Sequence, residues 1–196
     1  FLFSIMCLAM SVIFLFQMDA ANNNIITYTD WYVQSAERFA ISAEVGFDLA
    51  ATMLVNDERN TSFLNRSHSK ERTKRGVNTM VEANNKLLQG YDGVQACYGF
   101  DDVLDRLHLT ERCELLGNAK NIHDVYRCAS LNQQISVFKD MALAVVLNPS
   151  RYNDEIKDES SLNTIHILTR HLFDNFYLTN ERINELVTIE YTNLSN

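Results

Sequence analysis

Apolar residues along the first third of the chain recur in two different ways. From Phe1 to Phe16 they run almost continuously, broken only by Ser4 and Ser11. Further on they return at three- and four-residue spacing, through Trp31, Val33, Ala36, Phe39, Ala40, Ala43, Phe47, Ala50, Met53 and Leu54. Arg38, Glu44 and Asp48 fall largely off that stripe. The second pattern predicts an amphipathic helix within residues 21–58. Its body is expected to begin at Thr29 or Asp30, either of which can cap the unpaired amides of a first turn. The polar, Asn-rich run from Ala21 to Thr27 is expected to be a loose lead-in.

Periodicity then stops. Residues 59–76 hold six basic residues, Arg59, Arg66, Lys70, Arg72, Lys74 and Arg75, against the single acid Glu71. Ser, Thr, Asn and His fill most of the rest, which predicts an exposed, mobile linker. Helical spacing resumes with Val77, Met80, Val81, Leu87, Leu88, Tyr91, Val94 and Tyr98, and Gly99 is expected to end that helix. A third helix from Asp101 or Asp102 carries Val103, Leu104, Leu107 and Leu115, and Gly117-Asn118 closes it.

A fourth runs from Ile122 to Val146 and stops before Asn148-Pro149. Its apolar end, Met141 to Leu147, places it at the centre of the core. After an acidic loop, Arg151 to Ser161, a fifth helix carries Leu162, Ile165, Leu168, Leu172, Phe173 and Phe176. Thr179 restarts a sixth with Ile183, Leu186, Val187, Tyr191 and Leu194. The expected fold is all-α: an antiparallel bundle of five or six helices, with a long exposed linker after the first helix. Residues 77–196 supply the core segment, in one domain with 21–58. One proline and six glycines among 196 residues leave too little turn punctuation for an all-β alternative.

The opening apolar stretch has the length of a signal-peptide core, so residues 1–20 read as a leader lacking its first few residues, cut near Ala21. No basic or aromatic flank anchors it in a bilayer, and no stable membrane association is expected. Three sequons agree with export: Asn60-Thr61-Ser62, Asn65-Arg66-Ser67 and Asn193-Leu194-Ser195. A secreted, extracellular glycoprotein is the expected class.

Cys7 leaves with the leader, so Cys97, Cys113 and Cys128 remain. Cys113 and Cys128 flank one inter-helix connection at nearly equal heights, which predicts a disulfide between them. Cys97 is then unpaired, or joins two chains in a disulfide-linked homodimer.

Within the linker, Arg72-Thr73-Lys74-Arg75 matches the paired-basic pattern of secretory proprotein convertases, which act on extended, accessible chain. Cleavage after Arg75 is the expectation. Net charge is −8, with residues 21–75 balanced at seven acids and seven bases and residues 76–196 carrying seventeen acids against ten bases. Such a chain is not expected to bind nucleic acid.

No phosphate loop, nucleophile elbow or dinucleotide fingerprint is present, so neither an enzyme nor a cofactor is expected. His166 and His171 stand five apart, on different faces of an α-helix, and His108 and His123 flank one turn. Neither pair reads as a metal site. Asp154, Glu155, Asp158 and Glu159 lack the alternating spacing of a calcium loop. The function expected is binding of another macromolecule, in the manner of a cytokine or effector. The alternative is carriage of a small apolar ligand between aromatic-rich helices.

Overall fold

The structure, a computed structural model, describes residues 2–55, 65–110, 122–149 and 159–195. Within them the chain is all-α, and no strand occurs among the described residues. The helices are α1 (Leu2–Leu54), α2 (Arg66–Gln89), α3 (Asp102–Leu109), α4 (Ile122–Cys128), α5 (Leu131–Leu147), α6 (Glu159–His166) and α7 (Phe173–Ser195). A π-helical turn, Ile167–Leu172, joins α6 to α7 without a break. The described residues therefore make six rods packed as a bundle, with α1 against α2 and α7 as its frame.

Helix α1 departs from the sequence reading in two respects. It is continuous from Leu2, so Ala21–Thr27 is helical and not a lead-in. Its buried face is also rotated from the expected stripe. Tyr28, Trp31, Ser35, Arg38, Ser42, Val45, Leu49 and Thr52 are buried, at alternating spacings of three and four. That is the seam of a coiled coil. Because Ser35, Arg38, Ser42 and Thr52 occupy it, the apolar pattern pointed elsewhere, and Val33 and Phe47 lie outside.

Helix α2 overturns the expected linker from Arg66 onward. Asn65 caps it, its Oδ1 accepting from the amides of Ser67 and His68. Ser69, Thr73, Val77 and Met80 form its buried face. The first two are small and polar, which hid the period. Gly76 brings the backbones close, since a Cβ there would stand 2.5 Å from Val45 Cγ2. Asp48, buried on α1, accepts two bonds from Arg72 Nε and one from Nη2 (2.5 Å), the bidentate geometry characteristic of arginine.

The helix ends at Gly90, not Gly99. Gly90 has φ +68°, and a Cβ on it would collide with the Ala96 amide nitrogen. The chain then folds back, and the amides of Cys97 and Tyr98 bond to the carbonyls of Leu87 and Leu88. The expected single helix from Ile122 to Val146 breaks at Ser130, which opens α5 with a reciprocal capping box to Gln133.

Two apolar clusters fill the bundle. The larger gathers Val45, Leu49, Met53, Val77, Met80, Phe138, Val145, Leu168 and Phe176 with their neighbours. The smaller holds Tyr28, Trp31, Leu87, Leu88, Cys97, Leu104 and Ile183. On α1, α2 and α7 alike, the residues between the clusters are polar: Ser35, Arg38 and Ser42; Asn84; Asn175 and Thr179.

Candidate functional site

Three places in the bundle carry more than packing. The first is the polar layer between the clusters. Arg38 is fully buried, and among the described residues no carboxylate pairs with it. Its Nη1 donates to Asn84 Oδ1 (2.6 Å) and to His108 Nε2 (2.9 Å), and Nη2 donates to Ser35 Oγ (3.2 Å). The guanidinium carbon lies 4.8 Å from the centre of the Phe176 ring. Asn84 Nδ2 passes the network on to Asn132 Oδ1.

His108 Nδ1 lies 2.8 Å from the Leu104 carbonyl, to which only an N–H can bond. This fixes the tautomer, leaving Nε2 as the acceptor from Arg38. Burial, and then the Arg38 charge, push His108 down to about 3. Burial lowers Arg38 itself to about 9, so at neutral pH a charged guanidinium faces a neutral imidazole. Since the described acceptors around the cation are all neutral, the layer orders the helices at a desolvation cost.

The second place is an open groove of about 720 Å³ beside α1 and α7, lined by Tyr32, Tyr177, Glu181, Glu185 and Ile189 among others. Tyr177 and Ile189 are largely exposed there. It combines aromatic surface with two carboxylates and is not enclosed.

The third is a cluster of three histidines. His123 sits on α4, His166 ends α6 and His171 lies in the π-turn. His123 Nδ1 is 2.6 Å from His166 Nε2 and 3.1 Å from His171 Nε2. The rings are inclined by 71°, 47° and 66°, so they converge edge-on and do not stack. His171 is buried and His123 exposed.

Burial first, then the neighbouring imidazole of His123, lowers the pKa of His166. The same two causes, in that order, with His166 added, push His171 down to about 4. His123 and His171 line a groove of about 420 Å³, together with Arg127, Arg170, Asp174 and Asn175. Gln134 fixes α4 at this place: its Nε2 donates to the carbonyls of Tyr126 and Ala129, while its Oε1 accepts from Asn175 Nδ2.

Five-residue spacing had set His166 and His171 on different faces. The π-turn removes that objection, because its i→i+5 bonding widens the turn by one residue and returns His171 to the side of His166. His108 and His123 do not meet; they belong to different sites. The sequence carries no periodic trace of this turn, because the buried doublets Ile167-Leu168 and His171-Leu172 repeat at four residues, as on an ordinary α-helical face.

The other sequence-derived positions are scattered. Arg72, Thr73, Lys74 and Arg75 lie inside α2, with Thr73 buried, so they are not the extended chain that a convertase takes. Asn65 is engaged as a helix cap, Asn193 is exposed on α7, and Asn60 lies outside the described residues. Cys97 is a buried free thiol that burial raises to about 12, which makes it an inert packing group. A disulfide-linked homodimer through it would require opening the smaller cluster. Cys128 is buried and is not among the free thiols, while Cys113 lies outside the described residues. Asp154, Glu155 and Asp158 lie outside them too.

Comparison of the chain with protein-family models, with curated proteins and with solved structures gives no match.

Proposed function

We propose that this chain is a secreted helical protein that acts by binding another macromolecule through the α1–α7 groove. The observation that carries the reading is the groove itself. It presents Tyr32, Tyr177 and Ile189 beside Glu181 and Glu185 on an open surface. Tyrosine offers large contact area at low entropic cost, and flanking carboxylates favour a basic partner. An apolar carrier would instead enclose its ligand between the aromatic residues.

Export is supported by the leader and by its place in the fold. Residues 6–20 are exposed along their whole length, and Phe16 keeps 73% of its surface. None of them contributes to either cluster. Among the described residues no helix is long and apolar enough to cross a membrane. The Cys113–Cys128 disulfide and glycans on Asn60, Asn65 and Asn193 belong to the same reading. Maturation after Arg75 does not, unless the first turns of α2 unwind beforehand.

Expression from secretory cells, with intact-mass measurement of the medium, tests export. Radiolabelled secreted protein is then titrated on cells. Saturable binding that unlabelled protein competes away, and that Tyr177→Ala with Glu185→Lys abolishes, supports the reading. Non-saturable binding, together with stoichiometric uptake of an apolar fluorophore, would replace it with the carrier.

A further inference from the structure

We propose that His123, His166 and His171 form a binding site for a single divalent transition-metal ion, with zinc the best fit. Hydrogen bonding does not account for the way these rings meet. An imidazole nitrogen offers in its ring plane either one hydrogen or one lone pair. His123 Nδ1 nevertheless has two partners, at 2.6 Å and 3.1 Å, and both are imidazole nitrogens of the same kind. One hydrogen serves at most one of these contacts well. A cation at the centre uses all three lone pairs at once.

The dimensions agree. The three donor atoms lie within 4.8 Å of one another. Zinc–nitrogen bonds of about 2.0–2.1 Å in tetrahedral geometry place ligand nitrogens ~3.3 Å apart. His123 and His166 therefore separate by about 0.7 Å and His123 and His171 by about 0.2 Å, while the His166 and His171 nitrogens draw together around the ion. The donor set selects the class of ion, since imidazole suits zinc, copper and nickel, whereas magnesium and calcium require oxygen.

Three protein donors leave a fourth position. It opens toward the groove that holds Arg127 and Arg170, so water or a small anion completes the coordination. Bound metal would also pin α4 to the α6–α7 rod through His123 and His166, which stand 43 positions apart in the sequence.

The test uses the full chain, untagged, at one fixed near-neutral pH. Zinc is titrated calorimetrically and by competition with a chromogenic chelator, and cobalt serves as an optical probe of geometry. The expected result is one zinc per chain, tetrahedral cobalt absorption, and no binding of magnesium or calcium. His123→Ala, an exposed substitution outside the core, should weaken zinc affinity at least ~100-fold, at the upper end of what disturbing a metal shell does. His171→Gln should do the same if it folds. His68→Ala, exposed on α2, should change nothing.

Zinc should also raise the melting temperature of the wild type but not of His123→Ala, since an ion that binds only the folded state stabilises it. No zinc uptake, or uptake with the same affinity in His123→Ala as in the wild type, overturns the proposal.

Discussion

Arg38 is the residue on which the interior turns. A charge taken out of water costs several kcal/mol, and here three neutral acceptors and one aromatic face offset it, with no carboxylate partner among the described residues. Its partner His108 gives this a pH signature. Because His108 is held near 3 in the fold and titrates near 6.5 when unfolded, the unfolded state binds the extra proton between those values. The stability this contributes is complete above pH 6.5 and is lost as pH falls toward 3. The slope approaches about 1.4 kcal/mol per pH unit once His108 is fully protonated in the unfolded chain and still neutral in the fold. Denaturant unfolding at pH 7, 6 and 5 should show this loss in the wild type. His108→Gln cannot accept a proton there and should show a flatter profile. Parallel profiles would mean that the imidazole is already charged in the folded protein.

At the scale of elements, the α1–α2 pair rests on close approach. Gly76→Ala sets a Cβ against Val45 Cγ2, and Val45 is β-branched, buried and stiff in its rotamer. Although alanine gains about 1 kcal/mol of helix propensity, overpacking of roughly 1–3 kcal/mol should exceed it, giving net destabilisation. Gly46→Ala meets only Leu168 Cδ2, at 2.6 Å, the far end of a flexible side chain, and should be close to neutral. Melting temperatures of the two variants decide this: equal values would mean that the helices separate freely at Gly76.

This pair also shows what the sequence concealed. Helical class was legible wherever the buried face was apolar, as along α5, where Ile135, Phe138, Ala142 and Val145 line up. The fold was misread where burial falls on Ser35, Arg38, Ser69 and Thr73, because hydropathy cannot mark a polar seam. For the same reason a helix from Arg66 looked like a basic linker. The histidine site was hidden differently. Its residues are visible, but the π-turn that assembles them has no simple periodic signature.

For the whole molecule, the first twenty residues are an appendage. Those described from Met6 to Ala20 are all exposed, and the buried series begins only at Ala21. Removing residues 1–20 should therefore lower helix content in proportion while leaving the denaturant midpoint within error of the full chain. Solubility should improve, since Phe14, Leu15 and Phe16 leave with the segment. A large fall in the midpoint would show that the segment folds back onto the bundle in solution.

The π-turn also has a genetic meaning. An i→i+5 turn is what one additional residue leaves in an α-helix whose two ends are already committed to neighbours. Here α6 and α7 are both so committed, through Thr164 on one side and Phe176 and Ile183 on the other. The turn absorbs one residue between His166 and His171, so their five-residue spacing keeps them on one side, as four-residue spacing does in an ordinary helix. Read backwards, deleting Thr169, which is exposed, should restore an ordinary helix and a cooperative fold of similar helix content. The two histidines would then stand four apart and stay on one face of the helix. Circular dichroism and zinc titration of that one-codon deletant should therefore find helix content and zinc uptake both retained. If both vanished together, the bulge would be part of the scaffold and not an addition to it.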